Sequence, residues 1–184
     1  NPKYRNIVDI IDIRYWHYKT DGIYAPEGGK NLAPRQHARK MKVGKVTFKE
    51  AYKAVSEYRS KYPEKAVTYY AQNYPDMAWA VFMAGGSLAG IPVKDADFLK
   101  DATGMNIIDS ASDDFKLLGN KDGCIIYSQG ANSIPLELTS GKYRVTSFNP
   151  KTGEETVVNK SLKLKAPYTF ETSDTNAVYW FKKI

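Results

Sequence analysis

The first half of the chain alternates between apolar runs and amphipathic stretches. A nearly continuous β-branched run, Ile7–Ile13, is typical of a strand buried on both faces, as in a parallel sheet covered by helices. Thr47 and Glu50 have capping-box spacing, which predicts a helix that continues to about Lys61. A second strand and two further helices are predicted downstream, at Lys65–Ala71, Met77–Ala84 and Asp95–Ala102. This alternation is typical of βα units.

The second half has a different pattern. Short alternating runs are separated by turn signals such as Asn149–Gly153, and no helical period is present. Seven strands are predicted, at Phe115–Leu118, Cys124–Ser128, Ser133–Leu138, Tyr143–Asn149, Glu154–Val158, Ser161–Lys165 and Ala177–Lys182. The predicted fold class is therefore α+β and multidomain. A partial βα segment at residues 1–109 is followed by an antiparallel β-sandwich at residues 110–184.

Composition excludes several classes of function. The net charge is +7, but the densest basic cluster, Arg35–Lys45, has no nucleic-acid recognition signature, so we predict no nucleic-acid partner. Cys124 is the one cysteine and lies in an apolar run, so we expect a buried free thiol. Two histidines are too few for a His-based zinc site, and we predict no metal or cofactor. No apolar run is long enough to span a membrane.

The end of the first strand is the best candidate for a site. The apolar run becomes polar and aromatic at Arg14–Tyr18, and βα barrels carry their chemistry at the carboxyl ends of strands and in the following loops. Alternation points Arg14 and Trp16 to one side of the strand. The long loop Lys19–Val46 adds Glu27, Arg35 and His37 as candidate substrate-binding residues.

A purely structural interpretation of these residues stays open. The aromatic residues could cap the strand end, with Arg14 paired to Asp12 or Asp21, and Glu27 could be a solvated surface acid. Glycoside hydrolysis normally needs two carboxylates. The second strand continues into Gln72, which is neutral and cannot act as a nucleophile. The catalytic residues are therefore unknown.

Four stretches carry a family resemblance. They are IDIRYWHY (Ile11–Tyr18), DGIYAPEGGKNLAPRQHAR (Asp21–Arg39), KAVTYYAQNYPDMAWAVFMAGGSLAG (Lys65–Gly90) and SFNPKTGEE (Ser147–Glu155). The chain resembles the C-terminal part of secreted bacterial glycoside-hydrolase-like proteins, in which an apiosidase-like TIM barrel precedes a terminal β-sandwich of collagen-binding type. The resemblance implies that the two strands are the sixth and seventh of a barrel. It also implies that Gln72 stands where the nucleophilic acid usually stands, and that the acid/base residue belongs to the fourth strand, outside this chain.

Three functional hypotheses follow. The first is a C-terminal fragment of a carbohydrate-active protein, secreted, periplasmic or at the cell surface, that acts on a polysaccharide or oligosaccharide. A barrel of about 250 residues does not fit before the sandwich, so we expect the missing barrel half or a homo-oligomer to cover the βα segment. The second is a non-catalytic extracellular module that binds glycan or matrix protein. The third is a basic binder of nucleic acid or another polyanion, with salt-sensitive affinity. Because the chain begins at Asn1 without a signal peptide, we expect a processed product or a piece of a longer protein.

Overall fold

The structure is a computed structural model that describes residues 6–13, 18–19, 22–23, 47–69, 75–109 and 112–184. The chain folds as two compact units, Asn1–Gly90 and Ile91–Ile184. The first unit has helices and a parallel strand pair, and the second consists mainly of antiparallel sheets. The predicted mixture of α and β structure is thus confirmed.

The first unit contains four described strands and two described helices. The strands are β1 (Ile10–Ile13), β2 (Tyr18–Lys19), β3 (Gly22–Ile23) and β4 (Ala66–Tyr69), and the helices are α1 (Phe48–Lys61) and α2 (Pro75–Met83). Strands β1 and β4 pair in parallel. Strands β2 and β3 form a short antiparallel pair inside the stretch that the sequence predicts to be a long loop.

Helix α1 begins as its sequence predicts. The Thr47 hydroxyl accepts a hydrogen bond from the Glu50 amide at 3.2 Å, and the Thr47 amide donates to the Glu50 carboxylate at 2.8 Å. This reciprocal pair satisfies backbone donors that the first turn of a helix leaves free. Ala51 and Val55 are fully buried, so the helix turns an apolar face toward the core.

The second unit contains one described helix and eight strands. The helix is α3 (Ala96–Thr103), and the strands are β5 (Asn106–Ile108), β6 (Phe115–Asn120), β7 (Gly123–Ser128), β8 (Ser133–Leu136), β9 (Gly141–Phe148), β10 (Glu155–Leu164), β11 (Tyr168–Glu171) and β12 (Val178–Lys183). Six of the strands form an antiparallel sheet in the order β10-β9-β12-β7-β6-β5, and β11 pairs with β8. Strand β10 is therefore an edge strand.

The two antiparallel sheets share one hydrophobic core. Ile126, Tyr143 and Phe181 of the six-stranded sheet belong to the same buried cluster as Ile134 and Phe170 of the β8–β11 pair. Cys124 also lies in this cluster as a buried free thiol, as predicted. Antiparallel structure after residue 113 is thus confirmed.

Helix α3 covers part of the opposite face of the six-stranded sheet. Its Phe98 is fully buried and meets the rings of Phe148 and Trp180 edge-on, with centroid distances of 5.0 and 5.7 Å. Asp95 caps the helix, because its carboxylate accepts a hydrogen bond from the Phe98 amide at 2.7 Å. The sheet thereby buries apolar residues on both of its faces, which explains why every residue of β7 is buried.

The structure corrects the predicted strand list. The segments 154–158 and 161–165 are one strand, β10, which continues through register shifts between Val157 and Leu162. The Asn159 side chain accepts a hydrogen bond from the Ser161 amide at 2.9 Å, so a turn-like contact lies inside the strand. A bulge inserts residues without ending a strand, so two predicted strands can be one. Strands β5 and β11 are absent from the prediction.

The predicted burial of the first strand on both faces is wrong for β1. Ile13 is buried, but Asp12 is exposed and the Ile10 side chain is 59% exposed. A run of β-branched residues reports strand propensity, while burial depends on what packs against each face. The division into domains at 109/110 stays a prediction. Helix α3 and β5, which it assigns to the βα segment, lie in the second compact unit.

Candidate functional site

The parallel pair of β1 and β4 frames the candidate site. The two strands are in register, with Ile11 opposite Val67 and Ile13 opposite Tyr69, so they end side by side at one edge of the pair. In α/β folds, ligands bind beyond the carboxyl ends of parallel strands. Residues 14–17 and 70–74 follow these two ends directly in the sequence. The candidate site is therefore the edge at which β1 and β4 end.

Helices α1 and α2 close one face of this pair. Ile13 and Val67 are buried with Val55 of α1 and Val81 of α2. A second buried cluster joins the same helices through Ala51, Met77 and Ala80, with Tyr69 packed against it. This packing fixes which way the strand residues point, because side chains alternate between the two faces.

The opposite face carries the residues at alternate positions. Asp12 lies directly opposite Thr68, and its carboxylate accepts a hydrogen bond from the Thr68 hydroxyl at 2.9 Å. Ile10 lies two residues before Asp12 on the same face. In the sequence, Asp12 was considered only as an ion-pair partner for Arg14. The run Ile7–Ile13 contains two acids, and Asp12 is the one that lies within β1, on the face away from the helices.

The sequence-predicted binding residues lie outside the described part of the chain. These residues are Arg14, Trp16, Glu27, Arg35 and His37, and Gln72 lies outside it as well. Arg14 directly follows the last residue of β1, whereas Glu27, Arg35 and His37 follow β3 in the sequence. Their assignment to a sugar-binding face therefore stays a prediction.

Metal binding and thiol chemistry are two further possibilities for the described residues. Among them, no group of three or more His, Cys, Asp or Glu side chains is arranged to hold a metal ion. Cys124 is the one thiol, and complete burial raises the pKa of its thiol well above the ordinary value. Because the thiolate is the nucleophilic form, Cys124 is a core residue rather than a reactive one. Within the described residues, no helix has both the length and the apolarity needed to cross a membrane.

The fold is similar to that of solved glycoside hydrolases. A glycoside hydrolase family 5 protein from Bacteroides vulgatus is 11% identical, with a TM-score of 0.54 over 95% of this chain and 51% of that one. A second structure, described as a glycoside hydrolase, is 10% identical, with a TM-score of 0.54 over 95% of this chain and 52% of that one. The chain thus spans about half the length of these structures. At these identities the likeness concerns the fold.

The sequence also matches a family model. The match covers residues 1–105, and the family is described as a domain of unknown function, DUF6298. The chain belongs to this family. No curated protein matches the sequence.

Proposed function

We propose that this chain is the C-terminal portion of a carbohydrate-active, glycoside-hydrolase-like protein. Residues 1–109 would supply the last βα units of a TIM-barrel-like domain, and residues 110–184 would form a β-sandwich accessory domain that supports it. One observation carries the proposal: among the described residues, helices pack on one face of the parallel β1–β4 pair, while Ile10 and Asp12 on the other face are exposed. The chain also spans about half of the hydrolases that share its fold. The proposed location is secreted, periplasmic or at the cell surface.

The sugar-binding face would lie beyond the ends of β1 and β4. If the alternation of β1 continues, Arg14 and Trp16 lie on the face of Asp12, away from the helices. The Trp16 indole offers a flat apolar surface for a sugar ring, and Arg14 offers a fork of donors for its hydroxyl or carboxylate oxygens. Glu27, Arg35 and His37 would add polar contacts from the loop.

Catalysis would need a carboxylate pair that the ends of β1 and β4 do not supply. Asp12 is the single carboxylate among the residues of β1 and β4, and the segment after β4 offers the neutral Gln72. Glycosidases place two carboxyl groups about 5–10 Å apart across the scissile bond. We therefore expect no hydrolysis of any glycan by residues 1–184 alone.

The lack of a catalytic carboxylate pair at the ends of β1 and β4 supports a second candidate function. A site with an aromatic side chain and polar groups is sufficient to bind a sugar, although without a catalytic carboxylate pair it does not cleave the glycosidic bond. The alternative is therefore a non-catalytic extracellular module for glycan or matrix protein.

The first test is a glycan array with the full chain, together with a reducing-sugar assay on the same glycans. We expect binding without product, a loss of binding of at least about tenfold for Trp16→Ala, and partial retention for Trp16→Phe, which keeps a flat ring. Hydrolysis by this chain would contradict the incomplete site. An array without hits that is unchanged by Trp16→Ala would contradict sugar binding at this edge.

A second test separates the two candidates. The coding sequence that precedes Asn1 should encode further βα units, with a Glu at the end of the fourth strand, if the chain completes a barrel. An unrelated domain or a stop codon at that place would favour the binding module instead.

A further inference from the structure

The charges of the second unit are balanced in number but not in position. Residues 91–184 contain as many acidic as basic residues, so the net charge of +7 belongs to residues 1–90. Three neighbouring strands of the six-stranded sheet, β10, β9 and β12, nevertheless carry several lysines and an arginine against a single acid, Glu155. The edge of this sheet is therefore locally basic within a neutral unit.

Four of these cations share one face of the sheet. Lys163 of β10 lies directly opposite Lys142 of β9, and Lys182 of β12 lies directly opposite Arg144 of β9. Lys142 and Arg144 are two residues apart on β9, so their side chains point to the same side. Lys142, Arg144, Lys163 and Lys182 thus form a continuous group, called the basic cluster below.

Two members of the basic cluster have acidic partners. The Lys182 amine lies 3.2 Å from the Asp97 carboxylate and 3.7 Å from that of Asp101, both on α3. The Arg144 guanidinium lies 3.8 Å from the Glu155 carboxylate. These contacts hold both long side chains in place at the surface of the sheet.

The other two members lack such partners. Neither Lys142 nor Lys163 forms an ion pair with an acidic residue in the described part of the chain, and both are exposed. Like charges directly opposite each other in a sheet are destabilising. A lysine on the outermost strand protects a sheet edge from pairing with other chains, which accounts for Lys163. It does not account for Lys142 on the second strand.

We propose that the basic cluster binds an anionic polysaccharide whose sugars carry carboxylates. Neighbouring strands lie about 4.8 Å apart, so the cluster presents its cations at intervals close to the length of one sugar residue. A polysaccharide that carries one carboxylate per sugar would lie between Lys142 and Lys163 and relieve the repulsion between the two ammonium groups. Since the unit has no net charge and α3 places two carboxylates beside Lys182, a polymer of moderate charge density fits better than a nucleic acid.

The test uses the full chain with polygalacturonate, its fully methyl-esterified form and duplex DNA, at about 0.15 M salt, close to physiological ionic strength. The test variant is Lys142→Gln/Lys163→Gln. The matched control is Lys94→Gln/Lys121→Gln, which removes the same charge from exposed lysines of the same unit. Affinity is measured by calorimetry, and the melting temperature is measured for each variant.

We expect polygalacturonate to bind, the neutral ester not to bind, and the test variant to lose at least tenfold in affinity while the control keeps the affinity of the parent chain. The test variant should melt at the same temperature as the parent or higher, because an opposed pair of like charges is removed. Three results would each overturn the proposal: no binding by the parent chain, equal losses in both variants, or DNA binding as tight as that of polygalacturonate. The glycan site at the ends of β1 and β4 is tested separately by Trp16→Ala, so either proposal can fail without the other.

Discussion

At the scale of single residues, the turn between β9 and β10 depends on Asn149 and Gly153. The Asn149 side chain accepts hydrogen bonds from the amides of Lys151 and Thr152, at 2.9 and 3.1 Å. Gly153 has a φ of +74°, and a Cβ atom there would lie 2.5 Å from the carbonyl oxygen of Pro92. The Ser147–Glu155 segment therefore contains the side chain that stabilises its turn, and its Gly153 packs closely against the segment before α3.

Gly153→Ala should destabilise the second unit. We expect a loss of about 2–4 kcal/mol in the free energy of unfolding, because the methyl group combines an unfavourable φ with a backbone clash. Urea denaturation followed by circular dichroism measures it. Gly104→Ala is the matched control: Gly104 has a φ of −95°, and a Cβ there would make ordinary contacts at 3.6 Å or more. Equal effects of the two substitutions would contradict this explanation.

Cys124 should react only when the second unit opens. Its thiol is buried in the core and its pKa is raised by desolvation, so we expect modification by a thiol reagent to be at least about a hundredfold slower than that of free cysteine. Mild denaturant should raise the rate of Cys124 modification toward that of free cysteine. Rapid modification of the native protein at neutral pH would contradict the burial of this residue.

The same thiol predicts a pH dependence with a definite sign. A raised pKa means that the folded state keeps the proton where the unfolded chain releases it. The contribution of the protonated thiol to the free energy of unfolding is fully present below the ordinary thiol pKa, and it declines as pH rises above that value. The free energy of unfolding of the parent chain should therefore fall more steeply at alkaline pH than that of Cys124→Ala, as compared by denaturant titrations across the alkaline range.

At the scale of elements, α3 is held to the sheet mainly by one side chain. Phe98 is fully buried between Phe148 and Trp180, whereas its neighbour Leu99 is 39% exposed. The helix has only eight residues, too few to be stable in isolation. Its stability must therefore come from this packing, from the Asp95 cap and from the ion pairs to Lys182.

Phe98→Ala should cost about 3–5 kcal/mol, since it removes a large side chain from a fully buried position. Leu99→Ala, on the neighbouring exposed position, should cost less than about 1 kcal/mol. Thermal unfolding monitored by tryptophan fluorescence compares the two. Similar losses from both substitutions would show that α3 is not anchored through Phe98.

Elements were predicted best where the signal is local. The capping box of α1 and the short apolar runs of β7 and β12 depend on neighbours in sequence, and the structure contains all three elements. Strand β11 is absent from the prediction because its Tyr168–Glu171 segment is short and directly follows Ala166–Pro167, a pair typical of a turn. Its pairing with β8 joins residues more than thirty positions apart, and no local pattern reports that.

At the scale of the whole molecule, the first unit exposes apolar surface on β1 and just before it. The side chains of Ile7, Val8 and Ile10 are 74%, 41% and 59% exposed. Apolar residues grouped in this way mark surfaces that other protein covers. This supports the proposal that further barrel units or a second copy cover this face.

Ile10→Lys should reduce self-association of the isolated chain. A charge on this face must be desolvated in any apolar contact, so we expect the dimerisation constant to weaken at least about tenfold. Sedimentation velocity across a concentration series measures the constant. Lys49→Ala, at an exposed position of α1, serves as the control and should leave it unchanged. A parent chain that stays monomeric at high concentration would contradict this expectation.

The sequence by itself determined most of the elements and their order: strand, helix, strand and two helices, followed by antiparallel strands around a buried thiol. These follow from periodicity and caps, which act over a few residues. Only the tertiary structure decided which face of β1 is covered, that α3 packs on the antiparallel sheet, and that Lys142 lies opposite Lys163. Each of these depends on partners far apart in the chain. The burial and electrostatic energies that select such partners arise only when the elements meet.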